Sequence, residues 1–193
     1  MAYEFNEGII CPWDKTATPK RIAQYREYYR VKHDIVAELQ PKHIIEIGVR
    51  AGYSAYYFLQ ACPTALYTGF DADNGTHGGQ RDDKPYIPWA EKILKEAGHN
   101  AIVHWPFDTQ KHTCLPVQGD FYHIDGDHTT KGVMHDLDIC FESAPSGATL
   151  LVDDYDYIDT VKVGIDKWLD AHIGQVDYQY RKSLRGEMLI TKR

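Results

Sequence analysis

The chain has 193 residues, enough at roughly 150 residues per domain for one domain with a short appendage and too few for two. Hydrophobic residues make up 43% and charged residues 25%, the balance of a globular chain, which excludes disordered and low-complexity classes. Lys and Arg number 21 against 28 Asp and Glu, for a net charge of −7, which opposes attraction to a phosphate backbone and argues against a nucleic-acid partner.

The cysteines Cys11, Cys62, Cys114 and Cys140 are far apart and form no Cys-x-x-Cys pair, as expected of a reducing, cytoplasmic setting. The first residues lack the basic-then-apolar pattern of a signal peptide, and no apolar run approaches the roughly 20 residues that span a bilayer. A soluble protein without a membrane partner is expected.

Thr18 and Pro19 suit a helix start, and Ile22, Tyr25, Tyr29, Ile35, Val36 and Leu39 recur near a 3.6-residue period, predicting a helix that ends before Pro41. His43–Ile47 reads as a strand that runs into the glycine turn Gly48-Val49-Arg50-Ala51-Gly52 and a helix stopped by Pro63. A second strand, Ala65–Phe70, closes at Asp71-Ala72-Asp73. The polar, glycine-rich stretch Asn74–Lys84 reads as an exposed loop.

Pro88–Ala97 is a predicted helix and Ala101–Trp105 a third strand, followed by Asp108. Asp120–Ile124 is the fourth, ending at Asp125-Gly126-Asp127-His128. A helix from Thr129 leads to strand five, Ala148–Val152, which ends at Asp153-Asp154. A helix over Thr160–His172 and two strands near Val176–Arg181 and Glu187–Thr191, joined through Ser183–Gly186, complete the chain. Strands alternating with helices give an α/β, doubly wound, mostly parallel sheet of seven strands, with helices on both faces and a C-terminal antiparallel hairpin at or near an edge.

Ligands of open α/β sheets bind beyond the carboxyl ends of the strands, and each of the first five strand ends here carries an acid. The turn between Gly48 and Gly52 permits close backbone approach, and Asp71 lies 23 residues past Gly48, where a carboxylate can accept both hydroxyls of a ribose. A nucleoside-containing ligand is expected. Asp125, Asp153 and Asp154 offer a hard, all-oxygen site for Mg²⁺ first, and otherwise Mn²⁺ or Ca²⁺. Asp125 and Asp153 are 28 residues apart, one helix plus a turn, as adjacent parallel strands need. His128 is a candidate base suited to neutral pH, with Asp127 as a competing base or additional ligand.

Glu46-Ile47-Gly48-Val49-Arg50-Ala51-Gly52 resembles the Glu-x-Gly-x-x-x-Gly signature of class I S-adenosylmethionine-dependent methyltransferases. The segments Ile124–His128 and Leu151–Tyr155 resemble family 24 methyltransferases and their metal-dependent relatives, which methylate sugars, macrolides and catechols. The resemblance runs from about His43 to Leu169. It implies a Rossmann-like fold, with residues 41–193 as an S-adenosylmethionine-binding domain and 1–40 as an N-terminal segment and helix forming a partial lid. Gly48 and Gly52 would admit the methionine moiety beside Glu46, Asp71 would hold the ribose, and Asp108 would meet the adenine amino group.

Arg50, Tyr53 and Ser54 around the turn, Asp73 beside Asp71, and Asp125 complete the expected cofactor residues. The resemblance assigns a divalent cation to Asp125, Asp153 and Asp154, and catalysis to His128, Asp125 and Asp127. The implied reaction is O-methylation of a small hydroxylated molecule, with N- or C-methylation left open. Closure over the substrate would fall to Ala2–Lys20, to the Asn74–Tyr86 loop, to Asp156–Asp159 or to a second subunit, with Tyr3, Phe5, Trp13, Tyr155 and Tyr157 either lining the acceptor pocket or buried in the core. Two alternatives stand beside it: a nonenzymatic nucleoside-binding protein of the same fold, and a non-haem iron oxygenase built on His123-Ile124-Asp125.

Overall fold

The computed structural model describes residues 2–73 and 84–193; the glycine-rich loop read from the sequence lies, apart from Lys84, outside them. Helix α1 spans Pro19–Leu39, and Thr18 Oγ1 accepts the Arg21 N–H at 3.3 Å, satisfying a donor that helix geometry leaves orphaned. Strand β1 (His43–Ile47), helix α2 (Tyr53–Ala61) and strand β2 (Leu66–Phe70) follow. Helix α3 covers Tyr86–Glu96, starting two residues ahead of the predicted Pro88. That proline is tolerated because the first N–H groups of a helix have no intrahelical acceptor.

Strands β3 (Ala101–His104), β4 (Phe121–Ile124) and β5 (Thr149–Val152) alternate with α4 (Thr130–Ser143), and α5 (Asp159–Ala171) precedes β6 (Val176–Arg181) and β7 (Glu187–Lys192). They form one seven-stranded sheet of order β3-β2-β1-β4-β5-β7-β6, with β1 to β5 paired in parallel and β7 antiparallel to both β5 and β6. This is the expected Rossmann-like, doubly wound arrangement, and the hairpin lands at the edge with its second strand inserted inside its first.

Alternation along the strands sorts side chains to two faces. Ile44, Tyr67, Phe121, Leu151 and Leu189 pack with α1, α2 and α3; Ile45, Ile47, Tyr122, Ile124, Leu150, Val152 and Ile190 pack with α4 and α5. The N-terminal segment joins the first face: Ile9 and Cys11 are buried, with Tyr3, Phe5 and Trp13 packed against the same cluster. Tyr155 packs partly against the second cluster and Tyr157 is exposed. All four cysteines are free thiols, three of them buried. Among the described residues, no helix is long and apolar enough to cross a membrane.

Candidate functional site

Strand order reverses between β1 and β4, so the crevice beyond their carboxyl ends is the ligand-binding position of this topology. Gly48 leaves β1 at φ +87°, and a Cβ there would stand 2.0 Å from the Asp125 carbonyl oxygen; at Gly52, φ +75°, a Cβ would meet Ala90 at 2.7 Å. Both glycines are therefore required by chain-on-chain approach. Between them Arg50 is left-handed at φ +47°, an uncommon conformation for a side-chain-bearing residue. Its N–H donates to Asp71 Oδ2 at 2.7 Å, while its guanidinium meets Asp14 at 3.1 Å and lies over the Tyr86 ring.

Asp71 also accepts the Asp73 N–H at 2.6 Å, which fixes a half-buried carboxylate at the end of β2 by two backbone donors. A carboxylate accepts about four hydrogen bonds, so a vicinal diol still has acceptors there. Asp73 is exposed, and partial burial together with Asp71 raises its pKa. Asp108 starts the turn after β3, accepting the Gln110 N–H at 3.1 Å and pairing with Lys111 at 3.1 Å. Ser54 is half-buried in the first turn of α2. Two expected cofactor residues face inward instead: the Tyr53 hydroxyl accepts from Cys11 N and donates to Asp14, and Glu46 is buried, bonded to His123 Nδ1 at 2.8 Å and to the Tyr67 hydroxyl. Burial pushes Glu46 up to about 8, against the opposing Tyr67 hydrogen bond and the Lys32 charge.

On the other side of the crevice His128 Nε2 lies 3.0 Å from Asp125 and 3.7 Å from Asp154. The trio predicted for a cation, Asp125, Asp153 and Asp154, does not converge. Ligand atoms of Asp125, His128 and Asp154 lie within 4.8 Å of one another, and Asp153 is not among them. Asp153 continues the β5 alternation onto the α1 face with Leu151, where Lys32 and Tyr28 occupy its Oδ2, while Asp154, left-handed at φ +62°, turns towards Asp125 and His128. Asp153 is buried against Lys32 Nζ at 3.2 Å and accepts the Tyr28 hydroxyl.

Asp127 is not brought to the cluster either. Its Oδ1 accepts the Thr129 N–H at 2.8 Å, and its side chain covers Gly132 at the start of α4. His123 does not pair with Asp125 as a metal ligand: it is buried on the α1 face, with Nδ1 at 2.8 Å from Glu46 and Nε2 at 2.7 Å from Lys32 Nζ, so both ring nitrogens are engaged. His128 also departs from the neutral-pH match. Burial works to lower its pKa, but the Asp125 hydrogen bond and the surrounding carboxylates prevail and raise it to about 9. Asp154 rises to about 7, through burial and then the charges of Asp153 and Asp125.

A family model described as a methyltransferase domain matches residues 45–155, which takes in the glycine turn and both acidic strand ends. The chain belongs to this methyltransferase family. Solved structures with the same fold include the O-methyltransferase from Bacillus cereus in complex with SAH, at TM-score 0.66 and 14% identity, covering 92% of this chain and 82% of that one. The SAH-bound methyltransferase PaMTH1 of Podospora anserina aligns at TM-score 0.67 and 15% identity over 94% and 85%. The O-methyltransferase TomG from Streptomyces achromogenes, involved in tomaymycin synthesis and in complex with SAM, aligns at 0.63 and 18% over 85% and 78%. No curated protein matches the chain.

The methyltransferase domain here carries site groups that its motifs do not mark. Lys32 is wholly buried on α1, and Arg185, from the β6–β7 turn, reaches Asp154 Oδ1 at 3.1 Å. Lys32 sits in the same helical stripe as Tyr25, Tyr29 and Val36; a cation in an apolar stripe was the available signal. Asp136 of α4 is buried and accepts from Thr109, Gln110 and the Asp127 N–H, tying the turn after β3 to the Asp125 loop.

Proposed function

We propose that this protein transfers the methyl group of S-adenosylmethionine to a hydroxyl oxygen of a small molecule. The observation that carries the reading is the juxtaposition across one crevice of a glycine turn with its braced Asp71 and a proton-handling cluster, Asp125, His128 and Asp154, inside a domain matched as a methyltransferase. The rim fits a nucleoside through Asp71. Support for the cofactor also comes from the solved structures of the same fold that hold SAM or SAH. When bound, S-adenosylmethionine supplies a methyl carbon on a cationic sulfur.

Transfer to oxygen needs a nucleophile held in line and relieved of its proton. The hydroxyl proton passes into the Asp125–His128–Asp154 cluster. The oxygen lone pair forms the new O–C bond as the C–S bond breaks, and the released electron pair stays on sulfur in S-adenosylhomocysteine. The negative net charge and the O-methyltransferases among the fold neighbours favour a small hydroxylated acceptor such as a catechol or sugar.

Calorimetric titration of S-adenosylhomocysteine into the protein tests the reading, followed by an acceptor screen among catechols and sugars with mass detection of methylated product. Micromolar binding and a product mass increase of one methylene are expected. Absence of binding overturns the proposal, and transfer to nitrogen or carbon acceptors alone would replace oxygen as the target.

A further inference from the structure

The carboxylates that the sequence offers to a divalent cation already face positive groups of this chain. Asp153 is held by Lys32 Nζ at 3.2 Å, with the Tyr28 hydroxyl on the same oxygen. Asp154 Oδ1 accepts Arg185 Nη1 at 3.1 Å, and Asp125 is bonded to His128 at 3.0 Å. These partners come from three separate elements: α1, the β6–β7 turn and the segment before α4.

Each cation is built in. Lys32 is fully buried; besides Asp153 it meets His123 Nε2 at 2.7 Å and lies 3.5 Å from the Glu187 carboxylate, so its ammonium is enclosed by two carboxylates and an imidazole. Arg185 is 18% exposed at the side chain, and its guanidinium lies about equally far from two aromatic rings, 5.0 Å from the Tyr28 centroid and 5.1 Å from that of Tyr157. Clustered carboxylates repel unless a cation lies among them. A divalent ion coordinated by Asp125 and Asp154 would have to draw Asp154 away from Arg185 and would lack Asp153, whose Oδ2 is held by Lys32 and Tyr28 outside the Asp125–His128–Asp154 group.

We propose that Arg185 and Lys32 take the place of the divalent cation in this site, neutralising Asp154 and Asp153 from within the chain, so that the site binds no Mg²⁺ or Mn²⁺. Its bearing on methyl transfer rests on the function proposed above; the statement about cation binding does not. In that transfer Arg185, the partly exposed member, offers its N–H donors to the acceptor oxygen as negative charge develops there, and Lys32 is a positioning residue that holds Asp153 out of the crevice.

The test is titration of Mn²⁺ followed by the paramagnetic signal of the free ion, on the wild-type protein and on Arg185→Ala and Arg185→Gln, each checked for folding by circular dichroism. The wild type is expected to leave the signal undiminished to about 1 mM, the weak end of carboxylate cation sites. Both variants are expected to bind at least about tenfold more tightly, since a competing positive charge is gone. Stoichiometric micromolar binding by the wild type overturns the proposal and needs no variant to do so. Folded variants that gain no affinity overturn it as well, because Arg185 would not be what keeps the ion out. Calorimetry with S-adenosylhomocysteine in the same samples separates the two readings: a protein that ignores both Mn²⁺ and S-adenosylhomocysteine retains the cation inference and loses the methyltransferase one.

Discussion

The two faces of the sheet are built from different chemistry. Under α4 and α5 the core is mainly aliphatic, with Ile45, Ile124, Leu137, Leu150, Val152 and Ile165 packed around Trp168 and a few other rings, Phe70, Tyr122 and Phe141. Under α1 and α2 it holds seven buried tyrosines and, threaded between them, the chain Tyr67–Glu46–His123–Lys32–Asp153–Tyr28. A buried ionic lattice gains little net stability over apolar packing, so the difference shows where the molecule gives up simple packing to hold charges beneath its site.

Removing one member of the lattice is the strongest way to break the comparison. Lys32→Met leaves Asp153 buried without its cation and is expected to cost about 3–5 kcal/mol, read from denaturant midpoints; adding Asp153→Asn should recover a large part. On the aliphatic face Ile165→Ala should cost about 2–5 kcal/mol by cavity formation, with no such rescue by a second polar change. If Lys32→Met falls within 1 kcal/mol of wild type, the lattice carries no charge worth pairing.

Next in size is a separation of activity from stability. His128→Asn is expected to lower kcat about a hundredfold, the usual share of a proton-handling group, with a smaller loss of Tm than Ile165→Ala. Ile165→Ala should do the reverse. A His128→Asn protein with full turnover would remove His128 from the mechanism.

The pH dependence of folding sharpens the contrast further. Burial pushes Glu46 from the ordinary 4.5 of a glutamate up to about 8, so the folded state binds the extra proton between those values. Stability from this group is therefore fully present below about pH 4.5 and declines as pH rises towards 8. Glu46→Gln should flatten that decline in a series of Tm measurements, and an unchanged slope would show that Glu46 is ionised in the fold. The smallest effect belongs to the aliphatic face, where Trp168 Nε1 donates to Asp138 at 2.6 Å. Asp138→Ala is expected to cost about 1 kcal/mol, read from denaturant midpoints.

The architecture was legible in the sequence because its signals are local. Thr18 and Thr129 cap the helices that follow them, and β1 and β6 occupy the ranges that periodicity assigns. The site was legible as a rim but not as a set of partners. That Asp154 and not Asp153 turns into the crevice depends on one left-handed residue, and that Arg185 reaches it depends on β7 pairing with β5. Asp127 and Glu46 carry residue types suited to chemistry, but Asp127 sits over the first turn of α4 and Glu46 inside the sheet. Facing direction and non-local partners leave no mark on spacing.

The pairing of Tyr28 and Lys32 with Asp153 joins residues more than a hundred positions apart, and this bears on the order in which the chain can fold. Helix α1 forms from neighbours, but its buried ammonium finds a carboxylate only after β4 and β5 have docked, and such distant closures are slow. A chain stalled before that step would have to keep Lys32 in water. The lattice thus ties the N-terminal helix to the far half of the sheet through contacts of high sequence separation, the kind that weigh against fast folding.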